Sequence, residues 1–208
     1  MKSLRFIFAM TCFVMSMISC STTRVLQDDQ FRLAKNKIVI ENDKKFNPNL
    51  LQPYLKQKPN SYFIFGWNPF LSVYNWQNGK GKAWDKIVTR IGVAPVVYDA
   101  EQVDNSKLNL ENHLKYLGYY DSEVESRVKV KRRKVNVTYD VTLGKRYPIK
   151  EITYNLPENG DFAAEFLKDT MNMSVKVGDF LSESALEAET VRSSSALRNE
   201  GFYSFNKN

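Results

Sequence analysis

The chain has 208 residues, of which 43% are hydrophobic and 25% charged, with a formal net charge of +7. That length allows one or two small domains, and a modest cationic surplus interleaved with acids is not the footprint of a nucleic-acid-binding protein. With His113 the single histidine and, of two cysteines, only one expected in the mature chain and that one lipidated, neither a Cys/His zinc site nor a Cys/His or Ser/His catalytic set is expected.

Met1 to Ser19 has the layout of an export signal. Lys2 and Arg5 form a basic start, and Phe6 to Ile18 is an uncharged apolar run, shorter than the roughly 20 residues that span a bilayer. Met17-Ile18-Ser19-Cys20 then resembles a bacterial lipobox, whose cysteine is acylated and becomes the new N-terminus; Met17 stands where leucine is usual. Cys12 lies in the discarded part. The mature chain would hold Cys20 alone, and acylation removes a lone thiol that an oxidising compartment penalises. Ser21 occupies the place where inner-membrane lipoproteins often carry Asp, which implies the outer membrane. An uncleaved anchor and a plain secretory signal are the alternatives. Residues 20–30 are polar and aperiodic and are expected to be a flexible tether.

A strand is predicted over Asn36–Asn42. Asn47 as cap and Pro48 in the first turn begin a short helix through Gln57. Residues 58–99 break the pattern. Phe65, Trp67, Phe70, Tyr74 and Trp76 crowd together with Gly66 and Pro69 at no regular period, and a Gly/Lys link follows at Asn78–Lys82. This stretch is expected to be an insertion with its own small core, or a docking surface. Asn105 or Ser106 would cap a helix with Leu108, Leu110, Leu114 and Leu117 facing inward and Gly118 as its left-handed end. Glu123–Val130 and Lys134–Leu143 alternate cleanly and make an antiparallel hairpin with one wet face. Its basic connection, Lys131-Arg132-Arg133-Lys134, reads as a solvated turn rather than a binding patch.

After Gly144 the order begins again. A strand is predicted over Ile149–Leu156, a helix over Asp161–Lys168, a turn at Gly178–Phe180, and a long helix from the cap Ser182 to Gly201. Ser193-Ser194-Ser195 is expected on that helix's polar face. With no flanking glycine it is not a nucleophile elbow, and Gly79–Lys82 lacks the strand and spacing of a P-loop. The chain is not expected to be an enzyme. Residues 31–145 thus form one module. Residues 146–208 form a second that stops before its final strands, which would leave Ile152, Phe166 and Leu186 uncovered.

Two helix ends repeat: Leu114-Lys115-Tyr116-Leu117-Gly118-Tyr119-Tyr120 and Leu197-Arg198-Asn199-Glu200-Gly201-Phe202-Tyr203. On this repeat and its order of elements the chain resembles the POTRA modules of the BamA/TamA family of outer-membrane protein assembly factors. The lipobox and the inserted Asn68–Asn75 stretch resemble its lipoprotein, TamL-like branch in Bacteroidetes. The resemblance implies an α+β fold of tandem strand-helix-helix-strand-strand modules, each a three-stranded mixed sheet with two helices on one face. It also implies the periplasmic region of an assembly or translocation factor, held at the outer membrane through a lipid on Cys20. Unfolded outer-membrane proteins or other envelope proteins would be its partners, with no cofactor, metal, nucleic acid or small-molecule substrate.

In such modules, clients pair with an exposed strand edge. The candidate here is the first hairpin strand, at Val124, Ser126, Val128 and Val130, although alternating charges of its kind also protect edges from pairing. The alternative is a lipid-anchored adaptor without assembly activity that docks through Phe65, Trp67, Phe70, Tyr74 and Trp76.

Overall fold

Valine and tyrosine at every second place favour an extended, half-buried backbone between residues 123 and 143. The computed structural model, which describes residues 22–61, 68–158 and 160–205, shows a three-stranded sheet of β1 (Arg32–Ile40), β2 (Glu123–Lys131) and β3 (Lys134–Thr142). Its order is β1-β3-β2. The Arg32 N–H donates to the Arg133 carbonyl and the Glu41 N–H to the Val141 carbonyl, so β1 runs parallel to β3. Five α-helices are described: α1 (Pro69–Tyr74), α2 (Ala83–Ile91), α3 (Ala100–Tyr116), α4 (Gly160–Asp169) and α5 (Glu183–Asn199). The mixed α+β architecture is the one expected.

Three elements differ from expectation. Asn47 does cap the Pro48–Tyr54 segment, but that segment winds as a tighter 3-10 helix with Pro53 inside it. Helix α3 starts at Ala100, ahead of Asn105 and Ser106. The Asp99 carboxylate accepts the Glu101 N–H and caps it, which leaves Ser106 fully buried mid-helix and turns Leu108 to solvent. The stretch 149–156 is not a strand. A strand needs a partner for its backbone, and this segment finds one only at its start, where Ile149 and Tyr147 bond to the 178–181 turn and Pro148 bridges Phe180.

The contacts divide the chain into two compact units. The first takes the chain up to Lys37 with Lys56–Val103 and Ser126–Tyr139. Leu26, Leu33, Leu71, Val88, Val137 and Tyr139 are buried in it. Residues 22–30, expected as a tether, form turns that bury Thr23 and Leu26, and the Arg133 guanidinium donates to the carbonyls of Leu26, Gln27 and Gln30. In the insertion α1 packs on α2. The Asn68 side chain accepts the Leu71 N–H to cap α1, and Leu71, Asn75 and Val88 are buried. Gly92 ends α2 so close to Tyr74 that an added Cβ would stand 2.5 Å from the Tyr74 nitrogen.

The second unit comprises Ile38–Leu55, Asp104–Glu125 and Asp140–Asn208. Leu51, Leu110, Leu114, Val141 and Leu197 are its most buried apolar side chains. Gly118 closes α3 at φ +88°, and its backbone lies so near the Leu181 carbonyl that a Cβ would come within 2.3 Å of it. The Gly-Tyr-Tyr motif is an anchor. Tyr119 meets Phe46 edge-on at 5.5 Å, and the Arg146 guanidinium lies over both the Tyr119 and Phe180 rings. Ser182 caps α5 by accepting the Ala185 N–H. The serine triplet is not a wet face: Ser193 and Ser194 are buried and only Ser195 is exposed, because α5 turns its small side chains inward.

Candidate functional site

The hairpin turn fixes which backbone groups β2 has to offer. Arg132 and Arg133 both stand at positive φ, 49° and 58°, in the two-residue turn that matches the twist of antiparallel strands. Lys131 therefore faces Lys134, Val130 faces Val135, Val128 faces Val137, Ser126 faces Tyr139 and Val124 faces Val141. In an antiparallel pair the residues bonded to the partner alternate. With the closing pair Lys131–Lys134 bonded, odd-numbered residues of β2 bond to β3. The backbone N–H and C=O of Val124, Ser126, Val128 and Val130 then point to the open side.

One hydrogen bond corroborates this register. The Val124 N–H is accepted not by β3 but by the Glu111 carboxylate, at 3.2 Å, from α3. Glu111 thus closes the edge at Val124, whose side chain is itself buried. Ser126 is half-buried, and Val128 and Val130 are exposed. Among the described residues no strand other than β3 pairs with β2. The charges of Glu125, Arg127 and Lys129 belong to the alternate residues, so they flank the open groups without occupying them.

The opposite edge of the sheet is covered at its start by the chain itself. Where the insertion returns, the Leu33 N–H donates to the Val96 carbonyl, the Tyr98 N–H donates to the Phe31 carbonyl, and Arg32 bridges Val97. Asn60 and Gln57 hold this cover in place: Asn60 accepts the Val96 N–H and donates to the Ala94 carbonyl, and Gln57 donates to the Val97 carbonyl and accepts the Asp99 N–H. The start of one edge is thus covered, and among the described residues no strand covers the other.

Of the aromatics singled out in the insertion, Phe70 and Trp76 are exposed and Tyr74 is half-buried. Phe65, Trp67 and Cys20 lie outside the described residues. Two features were missed. Glu111 gave no signal, because an acceptor for a distant strand is invisible along the chain. Helix α2 did give one: Trp84, Ile87, Val88 and Ile91 recur at helical spacing, yet only Val88 turns inward.

His113 stacks on Tyr54 with ring centroids 3.6 Å apart, and burial lowers its pKa from the ordinary value. Among the described residues no three His, Cys, Asp or Glu side chains gather where a metal could bind, and no helix is long and apolar enough to cross a membrane.

Together these features define a class: an α+β module whose sheet presents one edge while its own chain covers the start of the other. A family model described as POTRA, surface antigen variable number repeat, matches residues 35–144, more than half of the sequence. The chain belongs to the POTRA family. Among solved structures it is similar to Haemophilus influenzae BamA POTRA3-5, at 10% identity over 86% of this chain and 90% of that one. The TM-score of 0.28 is too low for that likeness to carry an argument. No curated protein matches the chain.

Proposed function

We propose that this chain is the periplasmic POTRA region of a lipid-anchored factor that assembles or translocates outer-membrane proteins, and that it binds client polypeptides by strand addition at β2. The observation that carries the reading is the asymmetry of the sheet, with the start of β1 covered by residues 96–98 and no described strand pairing with the outer side of β2 from Ser126 to Val130. An open edge offers main-chain hydrogen bonds to any extended segment, which suits clients of many sequences. A lipid on Cys20 would hold the region beside the membrane its clients enter, and the TamL-like branch of Bacteroidetes is the proposed affiliation.

A photo-crosslinker at Ser126, presented with an unfolded outer-membrane protein, tests the reading against the same probe at Asp28, which is exposed in the first unit. Adducts are expected at Ser126 well above those at Asp28. Val128→Pro should abolish them while keeping the fold, because the lost N–H faces outward and edge strands tolerate proline. Equal adducts at the two positions, or full retention in Val128→Pro, would sink strand addition.

A further inference from the structure

The geometry points to α2 as an amphipathic helix that lies in the headgroup region of an anionic phospholipid bilayer, a contact separate from the β2 edge and independent of strand addition. Spacings of three and four place Trp84, Ile87 and Ile91 on one face, and they remain 51%, 50% and 56% exposed. Phe70 and Val93, tied together by the bond from the Val93 N–H to the Phe70 carbonyl, add two more exposed apolar groups from the same helical pair. Nothing among the described residues of the first unit covers this face.

Charge selects the occupant. From Gln77 to Tyr98 the chain carries Lys80, Lys82, Lys86 and Arg90, all exposed, and a single carboxylate, Asp85. That carboxylate is buried and faces its own loop, accepting the N–H groups of Asn78 and Lys80 at 2.7 and 2.8 Å. The outward charges of this stretch are therefore all cationic, beside an apolar centre. Lysine is depleted at protein–protein interfaces but enriched on the polar face of helices that lie along membranes, where tryptophan also accumulates. At nine residues α2 reaches about 13 Å, too short to span a bilayer and suited to lying along one.

The sequence supplies the probe, since all three tryptophans, Trp67, Trp76 and Trp84, fall in the insertion. Tryptophan fluorescence of the full chain is measured on vesicles of brominated phosphatidylcholine with and without phosphatidylglycerol. Any N-terminal anchoring is common to all variants, so differences in quenching report the insertion alone. Quenching is expected with phosphatidylglycerol, weak without it and reversed by salt. Replacing Lys80, Lys82, Lys86 and Arg90 with Gln should lower the partitioning of the insertion by at least about tenfold. Ile91→Asp, a change at an exposed position that spares the fold, should do the same through the apolar face, with far-UV circular dichroism confirming both variants. Absence of quenching on anionic vesicles would overturn the proposal and leave a protein as the occupant. Quenching that neither variant reduces would overturn it as well.

Discussion

Gly144 shows how much one missing atom can decide. A Cβ there would stand 1.6 Å from the Tyr120 carbonyl oxygen, and the same crossing is closed by the Tyr120 N–H donating to the Lys145 carbonyl and the Gly144 N–H donating to the Ser122 hydroxyl. No side-chain rotation relieves a backbone clash. Gly144→Ala should therefore cost about 3 kcal/mol, near the upper end for overpacking, as measured by chemical denaturation. Loss of less than about 1 kcal/mol would mean that the two segments separate easily. The sequence shows Gly144 as a strand breaker, which is true but incomplete. Its reason lies in a segment more than twenty residues away, which no local pattern reports.

At the scale of elements, caps and alternation were legible because they are local physics. Asn47, Ser182, Gly118 and Gly201 stand where side-chain chemistry or backbone freedom requires them, and β3 buries Val135, Val137, Tyr139 and Val141 as their spacing demands. Register and partnership were not legible: α3 begins at a cap, Asp99, hidden in an apolar-looking approach, and 149–156 lacks the neighbour a strand needs. The junction of α4 and α5 is equally non-local. Arg192 forks onto Asp169 at 3.0 and 2.7 Å and onto Glu189 at 3.0 and 2.7 Å, while Glu189 also accepts the N–H and hydroxyl of Ser174. Hydrogen bonds from Arg192 hold Asp169 below the usual carboxylate range. Burial pushes Glu189 up, but Arg192 and Ser174 outweigh it and leave it lowered too.

Depressed carboxyl groups add stability that is complete above their unfolded values of 3.8 and 4.5 and is lost as pH falls through the lower folded values. Arg192→Met should thus destabilise by about 1–2 kcal/mol at neutral pH, the guanidinium being partly exposed. The gap between variant and wild type should close in the acid range. Thermal unfolding at neutral and acid pH checks this, and a gap that does not change with pH would remove the ion pairs as its cause.

Across the whole molecule, fold class and family followed from the order of elements, whereas the open edge needed the structure. Alternating charges on β2 suggested protection, and only the hairpin register separates the charged residues from those whose backbone faces outward. The insertion was legible as an anomaly through its aromatics, but its cationic rim became meaningful once Asp85 was seen to face inward. The proposed lipid is a further whole-molecule property. Cells fed labelled palmitate should incorporate it into the wild-type chain and not into Cys20→Ala. Label retained by the variant, or never taken up by the wild type, would remove the anchor.

Glu111 has a kinetic consequence. It takes the Val124 N–H, so on the strand-addition reading proposed above only the few rungs between Ser126 and Val130 remain for a client. Few rungs give a short dwell time, because differences in affinity among related complexes lie mostly in how fast they dissociate. On that proposed reading, a site of that length suits handing a chain onward better than storing it.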